Sequence, residues 1–368
     1  PGNVVDGIVG MNLFSGRDLV IDANPAIGQG GTGPSLFIGD VAWTAHQWAS
    51  SAASDTWSEP ASWIEPGSPD ALWCATVANV SGSAQEALVA GDSTVFRAVV
   101  SGSPGAEMSL RIATGQELRT FADLEILNDG RVHLDGGRLD AQYVQVDGGT
   151  LSGQGTIFVG SGPVRGDVRI HSGQLAPGDP HGNPIGTITI DGNLAGNPAG
   201  IIALDLGGPV AGVSHDQVVV EGTAFLAGSL ELTRVDSGGG LFDPPPGTTI
   251  TVISATGISG EFDGLPSGST LTAGGAVFAI SYTANSVVLE RVAGEDVITA
   301  NATLLPDGQL ALQFPGTPGA EYQIESCPDL TPPLEWLPFG TFTADPSGLI
   351  SVTEPTAAPR RFFRAVRK

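Results

Sequence analysis

Val132-His-Leu-Asp-Gly-Gly-Arg-Leu139 is answered, 12 residues from its start, by Val144-Gln-Val-Asp-Gly-Gly-Thr-Leu151. Val168-Arg-Ile-His-Ser-Gly-Gln-Leu175 and Ile188-Thr-Ile-Asp-Gly-Asn-Leu194 follow the same form. Each unit is apolar-x-apolar, a polar-Gly turn, then an apolar residue. In an extended chain alternate side chains share a face, so the first two apolar residues point one way together. Asp-Gly or Ser-Gly then turns the chain, and Leu points inward again. One unit cannot bury its apolar face alone, whereas stacked copies bury a continuous column. The pattern predicts a central β-solenoid whose interior takes Val132, Leu134, Leu139, Val144, Val146, Leu151, Val168, Ile170, Leu175, Ile188, Ile190 and Leu194. Ile157-Phe-Val supplies an intermediate strand. The competing architecture is an antiparallel sandwich with similar hairpins.

Outward from the repeat, the chain stays β-like. Leu230-Glu-Leu-Thr, Thr249-Ile-Thr-Val-Ile and Ala276-Val-Phe-Ala-Ile-Ser-Tyr are short, alternating or β-branched, and bounded by turn formers. Ala42-Trp-Thr-Ala-His-Gln-Trp-Ala is the best helix candidate. Gly (53) and Pro (27) make up more than a fifth of the 368 residues, but a hydrophobic fraction of 41% reads them as turn punctuation in a folded all-β chain rather than as disorder. Three segments follow: 1–54, a strand-bearing segment and candidate assembly arm; 55–292, the solenoid with closing strands; and 293–368, a C-terminal β-sandwich rich in Phe, Tyr322 and Trp336. Val4-Val-Asp-Gly-Ile-Val-Gly-Met-Asn-Leu-Phe14 is an apolar stretch that needs a partner, its own or a neighbour's.

The formal net charge of −24 repels nucleic acid and anionic lipid. Arg17, Arg97, Arg111, Arg119, Arg131 and Arg138 are dispersed; only Arg360, Arg361, Arg364, Arg367 and Lys368 cluster. Cys74 and Cys327 read as two thiols or one long bridge, with no metal-ligand spacing. No run of about 18 apolar residues spans a membrane. A chain opening at Pro1 reads as an exported protein whose signal peptide has been removed, or as a piece of a longer one.

Chemistry is sparse. There is no Gly-x-Ser-x-Gly elbow, phosphate loop or EF-hand loop. Ser214-His215-Asp216 holds the triad residue types as chain neighbours, which point apart; Asp216 reads instead as ordering the turn before Val218. His46, His133, His171, His181 and His215 show no ligand spacing and read as surface or turn residues. Asp135, Asp147 and Asp191 beside the turns read as turn formers, with a Ca²⁺ ladder as the alternative. No catalytic or cofactor-binding residue is assigned, the metal ligands are unknown, and carboxylate pairs meeting in space stay open. Asn79-Val-Ser81 and Asn301-Ala-Thr303 are glycosylation sequons.

Asp55-Thr-Trp57-Ser-Glu-Pro-Ala-Ser-Trp63, Gly173-Gln-Leu-Ala-Pro-Gly178 with Gly186-Thr-Ile-Thr-Ile-Asp-Gly192, and His215-Asp-Gln-Val-Val-Val-Glu-Gly-Thr-Ala-Phe-Leu-Ala-Gly-Ser-Leu230 resemble segments of bacterial secreted exoproteins that carry autotransporter-associated β-strand repeats. Phe262-Asp-Gly-Leu-Pro, Phe278–Tyr282 and Ser286–Leu289 resemble their closing strands. Tyr322-Gln-Ile-Glu-Ser-Cys-Pro-Asp-Leu330, Trp336, Phe342 and Arg360–Val366 resemble a C-terminal β-sandwich found on such exoproteins. The resemblance covers roughly 55–368. It implies an exported β-solenoid and no chemistry, since the matched residues are turn and core positions. The expected function is a non-enzymatic extracellular or cell-surface structural protein that self-associates into a homopolymer. A surface adhesin or glycan binder is the alternative, with Trp43, Trp48, Trp57, Trp63 and Trp73 either exposed to sugars or plugging the first coil. A polysaccharide-active enzyme ranks third.

Overall fold

The computed structural model describes residues 18–22, 35–39, 44–65, 67–79, 81–161, 164–179, 181–236, 240–292, 301–306, 309–328, 336–355 and 361–367. The apolar stretch Val4–Phe14, Arg17, Trp43, Leu330, Arg360 and Lys368 lie outside them. The fold is all-β. Among the described residues there is no α-helix, and Pro60–Ser62 forms a single 3-10 turn. The expected helix around residues 42–49 is corrected: Thr44–Gln47 is a strand, paired in parallel with Trp73–Thr76. Its β-strand is fixed by that tertiary ladder, which overrides a weak local preference.

Alternation makes the strands. Trp73–Ala78, Gln85–Val89 and Met108–Ile112 bury every second side chain. Their parallel pairing runs along three ladders. In the first, Ala98, Leu124, Val144, Val168, Leu194 and Ala224 are successive partners. In the second, the series is Leu110, Val132, Leu151, Leu175, Ile202 and Leu230. In the third it is Leu118, Leu139, Ile157, Ile190 and Val220. Partners stand between 18 residues apart, from Leu139 to Ile157, and 33 apart, from Ile157 to Ile190. All three ladders feed one buried cluster. The twelve residues expected inside are each at most 1% exposed.

The units at 132 and 144 do not stack on each other, as their 12-residue offset suggested. Val132 partners Leu110 and Leu151, whereas Val144 partners Leu124 and Val168. The motif is a bend that carries the chain from one ladder to the next. Only 144–151 and 168–175 lie in register, with Val144 on Val168, Val146 on Ile170 and Leu151 on Leu175. Glycine is required at such bends. Gly173 has φ +88°, and a Cβ there would stand 2.3 Å from the Gly149 carbonyl oxygen below it.

The ends differ. At one, Trp48, Trp57, Trp63 and Trp73 close the core; the Trp63 ring meets the other three edge to face, with centroids 4.9–5.4 Å apart. At the other, Thr249–Gly260, Ser286–Arg291, Ala276–Tyr282 and Thr270–Ala273 pair antiparallel. Asp18–Asp22 and Ser35–Gly39 form a separate two-stranded antiparallel sheet. Residues 301–367 contribute two three-stranded antiparallel sheets, which share a second buried cluster around Phe314, Tyr322, Ile324 and Ile350. Cys74 and Cys327 are not joined in a disulfide, and Cys327 is buried. No described helix is long and apolar enough to cross a membrane.

Candidate functional site

Side chains that do not enter the core line the outer faces of the ladders, one rung above another. Here the dispersed arginines find partners. Arg97 Nε lies 3.2 Å from Asp123, its neighbour on the first ladder. Arg111 reaches Asp135 at 2.9 Å, Arg131 reaches Glu107 at 2.7 Å, and Arg138 reaches Glu117 at 3.1 Å. The Arg138 guanidinium also lies over the Phe158 ring, 3.5 Å from its centroid. These half-exposed pairs tie rungs together, each contributing a few tenths of a kcal/mol, up to about 1.

On the second ladder an outer face is covered by an excursion of the chain. After Asp167–Pro177 the chain exchanges backbone hydrogen bonds between Gly178 and Gly153. It then turns at Asp179, whose N–H donates to the Asn183 carbonyl, before entering Thr187–Asp191. Under this turn His133 is 4% exposed and Ser152 fully buried. A cleft of about 170 Å³ remains beside it, lined by Glu86, Glu107, Arg131, His133, Asp179 and His181.

The geometry is specific. His133 Nδ1 lies 3.0 Å from Ser152 Oγ, and His133 Nε2 lies 3.8 Å from Asp179 Oδ2. Burial pushes the His133 imidazole below its ordinary range, so it is neutral near pH 7. Ser, His and Asp are thus gathered here, but not for nucleophilic attack. Ser152 has no exposed surface, and the His–Asp separation exceeds hydrogen-bond reach.

The other singled-out residues have different fates. Ser214, His215 and Asp216 diverge: Ser214 Oγ accepts from Val210 N, His215 Nδ1 faces the Gly208 carbonyl at 3.0 Å, and Asp216 accepts from Gly186 N and Asp205 N, both at 2.8 Å. Burial raises the Asp216 carboxyl to about 8 against those two hydrogen bonds. Asp216 therefore holds the entry to Thr187–Asp191 as well as the turn before its own strand. Asp135 and Asp191 pair with Arg111 and Arg165, and Asp147 accepts from Ser172 Oγ at 2.6 Å.

The surface reading of the histidines is corrected for three of five. His46 stacks on Trp73 with centroids 3.4 Å apart, and His133 and His215 are buried. Each lies under chain distant in sequence, which no local pattern announces. His171 and His181 are exposed. The Asn79 amide donates to the Ser83 and Glu107 carbonyls, so its sequon is engaged in structure; the Asn301 side chain lies outside the described residues. Sequence reasoning missed Ser152 and Asp179. The available signal was the Gly178-Asp-Pro-His-Gly-Asn183 insertion between two repeat strands.

No family profile matches the chain, and no curated protein matches it.

Proposed function

We propose that the three ladders are the sides of a β-solenoid, that residues 301–367 form a β-sandwich, and that the protein is a non-enzymatic extracellular structural subunit that self-assembles. One observation carries the reading: the parallel ladders continue without interruption around a single core, and their outer faces are spent on rung-to-rung ion pairs. Such a body is a stiff rod with edges at its ends. Among the described residues, Thr44–Gln47 and Ser54–Thr56 each have one strand partner, and the far edge of the first is capped only at Gln47, by Ile64 and Glu65. An unpaired edge accepts a strand from another chain. The Asp18–Asp22 hairpin is a two-stranded sheet, and such sheets are marginal by themselves. It and the apolar stretch Val4–Phe14 are the donors in this reading. The resemblance to secreted exoproteins with autotransporter-associated repeats supports export and a cell-surface or matrix location.

Negative-stain electron microscopy of the purified full chain tests it, beside a variant lacking residues 1–22. Polymers from the full chain and monomers from the deletion are expected. A strictly monomeric full chain across salt and Ca²⁺ concentrations overturns the reading.

Glycan adhesion is the second reading. The Trp48, Trp57, Trp63 and Trp73 indoles are core residues, so it rests on Tyr143 and Phe225, exposed rings on the outer face of the first ladder. Loss of polysaccharide binding in Tyr143→Ala with Phe225→Ala would favour it over assembly.

A further inference from the structure

We propose that the Asp179–Pro180 peptide bond cleaves itself, the Asp179 carboxylate attacking its own backbone carbonyl carbon. Ser152 is closed to solvent, so the nucleophile at this turn is the carboxylate. The carboxylate and the carbonyl of one aspartate close a five-membered ring, and an intramolecular attack of this kind gains its rate from proximity. Proline makes the bond the weak one. Its amide nitrogen is tertiary and carries no hydrogen, and it leaves as a basic secondary amine. Pro180 itself lies outside the described residues; its part is the chemistry of that nitrogen.

The chain has three Asp–Pro bonds, and their surroundings differ. At Asp243–Pro244 the carboxylate is held between Arg291 and Arg367. At Asp345–Pro346 one carboxylate oxygen accepts from Ser347 N at 2.8 Å, Ser347 Oγ at 2.6 Å and Leu349 N at 2.9 Å. Those bonds hold the Asp345 carboxyl below its usual range and leave it a poor nucleophile. Asp179 is less engaged. Among the described residues, its Oδ1 accepts the His181 N–H at 2.9 Å and its Oδ2 accepts no hydrogen bond. A Cβ at Gly182 would stand 3.0 Å from Oδ2, so the carboxylate is folded over the residues that follow it. The Gly182 N–H donates to the Asp179 carbonyl oxygen at 3.1 Å, where negative charge gathers as the carboxylate adds. Gly348 gives the Asp345 carbonyl the same donor at 2.9 Å, so the difference lies in the unengaged oxygen and in a neighbouring imidazole.

The step needs only water. A bond forms from the carboxylate oxygen to the backbone carbonyl carbon. The C–N bond breaks, and its electron pair leaves on the Pro180 nitrogen, which takes a proton. His181 is the donor: its side chain is 78% exposed, its Nδ1 stands 3.9 Å from Asp179 Oδ1, and an imidazole in solvent carries protons near neutral pH. The other charged groups beside the cleft are occupied. Arg131 pairs with Glu107 at 2.7 Å, and Arg111 pairs with Asp135 at 2.9 Å and faces Glu86 at 3.7 Å. His133 lies under the turn on the Oδ2 side, at 3.8 Å. The products are residues 1–179, ending in a cyclic aspartyl anhydride, and residues 180–368, opening with a secondary amine. Water from the cleft then hydrolyses the anhydride to two carboxyl groups. The halves stay together, because Tyr143–Ser161 pairs with Thr187–Asp191 and Asp167–Pro177 pairs with Asn193–Leu206 across the break. Scission does not depend on assembly and survives the failure of that reading.

The test is incubation of the purified full chain in mildly acidic buffer, followed by intact-mass measurement and N-terminal sequencing. Two fragments are expected, their masses summing to the parent plus one water, the second beginning at Pro180-His-Gly. They should co-elute in gel filtration and separate in denaturant. Hydroxylamine present during the incubation should appear as a hydroxamate on Asp179, which marks the anhydride. Asp179→Ala should abolish scission. His181→Ala should slow it at least tenfold, with recovery on adding free imidazole, a rescue that a structural role would not give. An intact chain, equal cleavage at Asp243–Pro244 and Asp345–Pro346, or an unchanged rate in His181→Ala each overturns the proposal; the second of these means that the bonds break from intrinsic lability alone.

Discussion

At the scale of single residues, burial decides which polar groups matter. His215 and His181 look alike in sequence, yet one is 2% exposed against the Gly208 carbonyl and the other stands in solvent. His215→Ala should cost about 1–3 kcal/mol, because it opens a void and orphans a carbonyl, and His181→Ala less than about 0.5. Thermal melts of the two variants check the order. Asp216 gives a pH signature. Its folded carboxyl titrates near 8, above the ordinary 3.8, so between those values the folded state holds a proton that the unfolded state releases. Stability from this group is complete below about pH 4 and is lost as pH rises through about 8. Denaturant melts from pH 4.5 to 8.5 should show the decline in the native chain and a flatter profile in Asp216→Asn; identical slopes would refute the assignment.

At the scale of elements, the repeat fixes which face is inside more firmly than which strand lies beside which. Leu151 and Ile190 are fully buried on the second and third ladders, as the apolar phase of their units requires. Leu151→Asp or Ile190→Asp places an unpaired charge in that stacked core and should cost about 4 kcal/mol or more, measured by urea melts. Gly173→Ala should cost about 2 kcal/mol, since its left-handed backbone and the Gly149 carbonyl both reject a Cβ. Period-2 alternation made the inward set readable, because it is a property of five or six consecutive residues. Ladder membership depends on how many residues each bend and excursion consumes, and that count varies. Leu139 and Ile157 are adjacent rungs 18 positions apart, whereas Ile157 and Ile190 stand 33 apart because the chain passes through the Asp179 turn. The same turn hides Ser152 and His133, so the cleft was illegible for the reason that the ladder was: both depend on where an excursion lands.

At the scale of the molecule, two hydrophobic clusters are built by different stretches of chain, one from Trp48 to Leu289 and one from Leu312 to Ala365. Asp243 is a polar link between them. Its side chain is 10% exposed. It lies 3.7 Å from Arg291, at the end of the last strand of the first cluster, and it pairs with Arg367 in the final strand of the chain. The Thr317 hydroxyl donates to the same carboxylate at 3.2 Å. One carboxylate thus serves two guanidiniums, and the Arg291 side chain is 5% exposed. Removing it takes the shared carboxylate from a buried Arg291, which keeps its bonds to the Val277 and Val292 carbonyls, and from an Arg367 that is 35% exposed. Losing one partner of a buried pair costs about 3–5 kcal/mol, and solvent at Arg367 brings the loss here to about 2 kcal/mol. That loss falls on the link and on neither core, so its consequence is uncoupling. Scanning calorimetry of Asp243→Ala should resolve two transitions where the native chain gives one, with the residues 301–367 unit released first and cut earlier by protease. Asp243→Asn, which keeps an acceptor for Thr317 but no charge, should fall between. A single unshifted transition in Asp243→Ala would mean that contacts other than this carboxylate hold the two units together.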